Sequence, residues 1–523
     1  MRVNLLPLRQ QALDAHLRGD TAKSRELVLS AGPQAMSDPL MLQLLAIGLG
    51  SPPDERVLYE FAATDTEIPD ADAWFNRGVV EDAAGRIDRA SLHYAQALRI
   101  DPRHHGSLNN LSDLLRRQRR YDEAWQRISQ LLDAGGNPAG LELRIAKIAD
   151  DCGKLAEARH WFAAAEERSG HAPAIVWEHA MQQLRDEEFP AGWDNFEHRR
   201  TIFPHDAMAI VSYSMPEWSG DPLNGRSLLV HKEQGLGDQI MFASCLGDLP
   251  CDPANLHLAV SPPLARLFAA SFPEAHVWSS VSTTGREGEE FQPWLELARP
   301  IDCQIPIGSL PRHLRREGFA RPQPYLSAPE ADIAIWRNRL LQLAPESAAQ
   351  FRCGLVTVAR RDGVVLPGEA DGNSKTVPSA LVHRFDLPGI AWFGLHDKSG
   401  VAELSAMPIP NIVDTSDWLF DLADTAALIA CLDVVVAVDT AVAHLAAAMG
   451  KPVLLMLRRS ADWRWGRKRR DSYWYPDVRV FRQTHEGDWA PVIEAVAERL
   501  ALLRDRASGK PARNPASGKG RRR

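Results

Sequence analysis

Long apolar runs are missing from this chain. Nowhere do about 18 consecutive apolar residues occur, the length needed to cross a bilayer, so no membrane span is expected. The opening Met1–Pro7 (MRVNLLP) also lacks the apolar stretch of a secretory signal. Cysteine is sparse: six residues, at 152, 245, 251, 303, 353 and 431, with no Cys-x-x-Cys pair and no regular spacing. That excludes a disulfide framework and points to reduced structural thiols in a cytoplasmic protein. Positive charge is scarce outside the C-terminal end. Residues 504–523 hold eight Lys/Arg and one acid, leaving 52 bases against 67 acids elsewhere. So acidic a body argues against a nucleic-acid-binding surface. The 504–523 segment, rich in Gly, Pro, Ala and Ser, cannot bury a core and is expected to be a disordered tail. It suits a solubilising role or a weak attraction to an anionic surface. The 45% hydrophobic content is ample for packed cores, and the length allows roughly two to four domains.

What is present first is a period. Ala90, Ala124 and Ala158 lie 34 residues apart, with Gly192 at the next step. Four residues after each stands a large side chain: Tyr94, Ile128, Phe162 and Phe196. The fullest copy runs from Ala71 to Pro102, with Trp74, Gly78, Ala90, Tyr94, Ala97 and Pro102 at its marked positions. This resembles the tetratricopeptide repeat, in which small residues let two helices approach and the aromatic fills the gap between hairpins. Ser24 and Val28 take the small and large positions of an earlier copy, with a degenerate one over Ser51–Thr64. About five hairpins over 1–200 are therefore expected, forming a solenoid whose groove binds a protein partner or props up its neighbour.

Beyond residue 200 the pattern changes to short apolar runs alternating with helical segments, the signature of parallel sheets wrapped by helices. In the first lobe, strands are expected at Ser227–Lys232, Leu256–Val260 and His276–Ser279. In the second they fall at Cys353–Val358, Ile390–Leu395, Asn411–Val413, Val434–Val438, Pro452–Leu457 and Val478–Phe481. Asp488 suits the N-cap of a final helix from Trp489.

Two strand-to-helix junctions carry the chemistry. At the first, Glu233-Gln234-Gly235-Leu236-Gly237-Asp238 follows a strand, and the glycines allow a tight turn. At the second, Val438-Asp439-Thr440 leads into a helix containing His444. Such junctions face ligands at the carboxyl edge of a sheet. Asp238 suits either a general base or a cap for its own helix. Helix-start amides and the Thr440 hydroxyl suit phosphate oxygens, and His444 suits either a phosphate or sugar contact or a buried supporting role. Lys375, ahead of a helix on the cleft side, would neutralise a diphosphate leaving group or lie on the surface. Trp463, Trp465, Trp474 and Tyr475 around the basic run 467–470 suit a packed segment or a sugar platform. The cleft-facing segments hold neither an Asp-x-Asp pair nor a zinc-type cluster, so metal-independent chemistry is expected.

These residues together resemble bacterial tetratricopeptide-repeat proteins that end in a heptosyltransferase-like, GT-B-type glycosyltransferase. The resemblance rests on Gly192-Trp193-Asp194-Asn195-Phe196-Glu197-His198-Arg199, Trp218-Ser219-Gly220-Asp221-Pro222-Leu223, the Asp238 turn, the Asp439–Leu445 segment, Asp462-Trp463-Arg464-Trp465 and Trp474-Tyr475-Pro476. It implies an α-solenoid of tetratricopeptide repeats (1–200) followed by a GT-B-type pair of Rossmann-like α/β lobes. The first lobe (201–330) would face the acceptor, the second (331–503) would bind a nucleotide sugar, and a basic tail (504–523) would follow. It further implies inverting transfer with Asp238 as base, and Lys375, Asp439, Thr440 and His444 at the donor, without metal or other cofactor. Gly235, Gly237 and Arg360 are candidates for the donor loop. Where such proteins carry Trp-x-Gly, this chain has Thr357-Val358-Ala359-Arg360-Arg361-Asp362-Gly363, in which Arg360 or Arg361 would supply charge. The implied acceptor is a protein docked by the repeats, flagellin being favoured, with a nonulosonic acid as the sugar. Transfer to a saccharide such as lipopolysaccharide, or an inactive scaffold, are the alternatives.

Overall fold

The computed structural model describes residues 8, 11–12, 15, 21–30, 70–136, 140–203, 213–280, 294, 300–359, 375–396, 409 and 412–509. The expected repeat over Ser51–Thr64, Arg360 with its loop, and residues 510–523 lie outside the described residues. The chain divides into two compact units, Met1–Gly170 and His171–Arg523.

In the first unit the 34-residue period becomes helical hairpins: Ala71–Ala83 with Ile87–Ile100, His105–Arg117 with Tyr121–Asp133, and Glu142–Asp151 with Leu155–Arg168. Ala90, Ala124 and Ala158 are wholly buried, as are Tyr94 and Ile128, and Phe162 nearly so. Gly78 shows why its position must stay small, because a Cβ there would collide with the Tyr94 ring. Helix Thr21–Ser30 carries buried Ser24, whose hydroxyl donates to the Ala12 carbonyl at 2.9 Å.

The period continues into the second unit. Helices Pro173–Arg185 and Phe189–Phe196 form one more hairpin, and a Cβ on Gly192 would fall 2.7 Å from a Leu184 methyl. Its aromatic face, however, belongs to the α/β core. Trp193 lies 5.6 Å from the Trp463 ring, and Phe196 lies 5.6 Å from Trp463 and 6.1 Å from Phe242. The expected solenoid end at residue 200 thus falls inside the second unit.

Nine strands among the described residues build two parallel sheets. The first holds β1 (Leu228–His231), β2 (Leu256–Val260), β3 (His276–Ser279) and β4 (Cys303–Pro306) in the order β3-β2-β1-β4. The second holds β5 (Phe351–Val356), β6 (Ile390–Gly394), β7 (Val434–Val438), β8 (Val453–Leu457) and β9 (Val478–Arg482) in the order β6-β5-β7-β8-β9. β1, β2, β7 and β8 are buried along their whole length, which explains the unbroken apolar runs of β7 and β8; β1 and β2 each bury one histidine, His231 and His257. β4 had no counterpart among the expected strands, although Ile301, Cys303, Ile305 and Ile307 alternate with Asp302, Gln304 and Pro306; the run is short and closes on a proline. Around Val413 there is only an isolated bridge to Phe393 in place of the expected strand, and Asn411 lies outside the described residues. The final helix is Ala490–Ala507, with Trp489 rather than Asp488 as its N-cap and no side-chain cap bond.

Candidate active site

The first junction is built by three backbone features. β1 ends at His231, Gln234 adopts a positive φ of 59°, and helix Leu236–Phe242 starts after Gly235. Contrary to expectation, the reversal is taken by Gln234 and not by a glycine; Gly235 has φ −78°. A non-glycine residue there is uncommon and marks a turn fixed by its surroundings. Those surroundings are a buried ion pair. Arg199 and Glu233 are both fully buried, with Nη2 3.0 Å from Oε1. Arg199 also donates to Ser309 Oγ at 2.8 Å and to the Phe196 carbonyl at 3.1 Å, and its guanidinium lies over the Phe196 ring. Gly308 is small because a Cβ would occupy the space of the Glu233 carboxylate.

Asp238 uses both carboxylate oxygens. Oδ2 accepts the Gly235 N–H at 3.1 Å, and Oδ1 pairs with the Arg464 guanidinium. Asp238 thus braces the start of its helix from the third helical position, with Gly235 and not Asp238 as the N-cap, and its other oxygen is paired with a cation of the second lobe. Gly237 allows the lobes to meet. A Cβ there would lie 3.1 Å from His444 Cδ2 and 3.4 Å from the Ala441 Cα.

At the second junction Asp439 directly follows β7 and is nearly buried. Its Oδ2 accepts from Lys375 Nζ at 2.6 Å, its Oδ1 accepts from Trp465 Nε1 at 2.8 Å, and His444 Nε2 lies 3.6 Å from Oδ1. Burial alone would raise its pKa, but Lys375 and His444 outweigh burial and hold the carboxyl well below its usual range. Thr440 caps helix Ala441–Ala448, accepting the Ala443 N–H at 3.4 Å. His444 points into the core, with Nδ1 2.7 Å from the Tyr475 hydroxyl and its ring stacked 4.9 Å from Trp465.

Arg464 ties the Asp238 junction to the segment that follows β8. Besides Asp238, it bonds Asp462 Oδ1 at 2.6 Å and lies over the Trp463 ring at 4.7 Å. Burial disfavours its charge, yet Asp238 and Asp462 more than compensate, so the guanidinium is held firmly protonated. Beside it, a small open pocket with an inner volume of about 10 Å³ lies at the carboxyl ends of β7 and β8, lined by Lys375, Asp439, Met456, Leu457, Arg458, Ala461, Asp462 and Trp489. Lys375 and Asp439 thus line the cleft, while Thr440, His444, Gly235 and Gly237 are not among its lining residues.

Arg464 and Asp462 were not among the expected site residues, although their string had been singled out. The aromatics beside them are core: Trp463, Trp465, Trp474 and Tyr475 are at most 4% exposed, so they form a packed segment and not an open platform. The basic run beside them is tied to the turn of the last hairpin, Arg467 to Asp186 and Arg469 to Glu187. Among the described residues no group of three or more His, Cys, Asp or Glu is placed to hold a metal ion. No helix there is long and apolar enough to cross a membrane.

Residues 420–487, which include Asp439, Thr440, His444, Asp462 and Arg464, match the model of glycosyltransferase family 9 (heptosyltransferase), and residues 71–104 match that of the tetratricopeptide repeat. The chain therefore combines tetratricopeptide repeats with a heptosyltransferase-like α/β region. Among individual proteins, Protein FlbA of Caulobacter vibrioides is 30% identical over 325 residues, covering 59% of this chain and 52% of that protein. The chain thus spans about half the length of the curated relative it matches. The ADP-heptose lps heptosyltransferase II of E. coli is 14% identical, covering 54% of this chain and 99% of that one, with a TM-score of 0.34. A glycosyl transferase family 9 structure from Veillonella parvula is 12% identical, covering 57% and 94%, with a TM-score of 0.37.

Proposed function

We propose that this chain transfers a sugar from a nucleotide-sugar donor to a protein hydroxyl, with inversion and without a metal. The repeats dock the acceptor, flagellin is the favoured protein, and a nonulosonic acid is the favoured sugar. One observation carries the reading: a carboxylate from the first sheet, Asp238, meets the Lys375–Asp439 cleft of the second sheet through a shared Arg464–Asp462 pair. The match of residues 420–487 to a glycosyltransferase family supports it.

In this scheme the acceptor oxygen attacks the anomeric carbon as Asp238 Oδ1 takes its proton. The bond from that carbon to the donor phosphate breaks on the opposite face, and the configuration inverts. Lys375, which lines the pocket, meets the charge growing on the departing nucleotide. The donor is a co-substrate, and no further cofactor enters.

A second reading, transfer to a saccharide, is favoured by the heptosyltransferase description of the matching family. An assay of the purified full chain with CMP-, UDP-, GDP- and ADP-sugars separates the two. Mass added to a protein acceptor by the wild type and not by Asp238→Asn supports the first; addition only to a saccharide moves the second ahead. An Asp238→Asn variant as active as the wild type would remove the base role.

A further inference from the structure

The Asp238–Arg464 pair raises a problem for the base role, because it occupies the oxygen that must take the proton. We propose that Arg464 is an exchangeable latch: it holds Asp238 until the phosphate of a donor in the neighbouring cleft draws the guanidinium away. The proposal rests on the reading of that cleft as the donor site.

The pairing pattern supports an exchange. Lys375 and Arg464 both reach the cleft region already matched with carboxylates, Lys375 with Asp439 and Arg464 with Asp238 and Asp462. An incoming phosphate gains the full attraction of a cation only by displacing a carboxylate. The two carboxylate sites are not equally ready to yield. Asp439 is held by Lys375, Trp465 and His444 together, and losing the lysine would leave a nearly buried charge with weaker partners. Asp238 is different. If Arg464 leaves Oδ1, the Gly235 N–H still anchors Oδ2, so the carboxylate keeps its place and opens one oxygen.

Arg464 is also one side chain from the cleft, since Nη1 bonds Asp462, which lines it. The guanidinium rests on the Trp463 face, a contact that tolerates sliding better than a directional bond. Trp463 itself is fixed by Trp193 and Phe196. The latch therefore has a rigid base, a carboxylate at each end and a short path between them. Before the exchange Asp238 is closed to the acceptor. Afterwards the base is free only when a donor is in place, which would suppress unproductive chemistry. Arg464 acts here as a positioning residue for Asp238.

The test is calorimetric titration of the full chain with CMP, UDP, GDP and ADP, carrying forward the nucleotide that the wild type binds most tightly. Removing the charge that holds Arg464, by Asp238→Asn, is expected to tighten binding about tenfold, the scale of one charge-assisted hydrogen bond. The same substitution made on Arg464→Ala should give no gain; Arg464→Gln replaces the alanine variant if that fails to fold. A pair with only a structural role would not produce tighter binding. Equal or weaker binding by Asp238→Asn, with Lys375→Ala still weakened, overturns the latch and leaves the donor site standing. If Lys375→Ala binds as well as the wild type, or no nucleotide binds, the donor-site reading itself fails.

Discussion

Lys375 Nζ lies 2.6 Å from Asp439 Oδ2, so the cation assigned to a leaving phosphate is already committed to a carboxylate that it keeps ionised. The pair is partly structural. Lys375→Ala should lower stability by about 1–3 kcal/mol at neutral pH, below the range for a wholly buried pair because the lysine is one-third exposed. Adding Asp439→Asn should recover part of that loss. The folded carboxyl is held below its ordinary 3.8, so its contribution is full above that value and is lost as pH falls through the lower folded value. The gap between wild type and Lys375→Ala, followed by denaturant unfolding, should therefore narrow in acid. A constant gap would mean that the ion pair is not its source.

His231 at the end of β1 gives a second pH dependence, at higher pH. Burial pushes it down from 6.5 to about 4, with Nε2 2.8 Å from Gln304 Oε1. Between those values the unfolded chain binds a proton that the folded chain refuses. Stability should fall by up to about 3 kcal/mol as pH drops from 6.5 to 4. His231→Gln, neutral at every pH, should flatten that slope; an unchanged slope would assign it to other groups.

The Arg199–Glu233 pair fixes the turn that presents Asp238. Arg199→Met leaves a buried carboxylate without its cation and should cost about 3–5 kcal/mol. Arg199→Met with Glu233→Met should recover only part of this in thermal unfolding, because Arg199 also pairs with Glu197 at 2.8 Å. Activity should remain low in the double variant, because the backbone of Gln234 loses the anchor next to it. A fully active double variant would show that the turn sets itself.

Gly237→Ala tests the contact between the lobes. The added methyl meets the Ala441 backbone on one side and a His444 ring held by Tyr475 on the other. A loss of about 1–3 kcal/mol is expected, with transfer reduced by more than stability alone explains. A neutral effect in both measurements would mean that the lobes open freely at this point.

What the sequence disclosed, and what it did not, divides by range. The helical period was legible because small and large residues recur at fixed spacing, as in Ala90 and Tyr94 or Ala158 and Phe162. Strands such as Val434–Val438 were legible because burial on both faces demands unbroken apolar runs. β4 was passed over although Ile301, Cys303, Ile305 and Ile307 alternate with Asp302, Gln304 and Pro306, because the run is short and closes on a proline. The placement of Lys375 against Asp439 joins two residues named separately, but Arg464 was missed for a physical reason. Its partner Asp238 is 226 residues away, and a cation next to Asp462 looks like a local pair. The division into units at residue 170 leaves no mark in the repeat period. The repeat period runs on through Phe196, while the aromatic face of that last hairpin packs into the α/β core.

The most direct test of the account is the intact mass of flagellin from cells lacking this protein, restored with wild type or with Asp238→Ala. The account predicts sugar-sized mass increments with wild type and none with Asp238→Ala or without the protein. Identical flagellin masses in all three would contradict it.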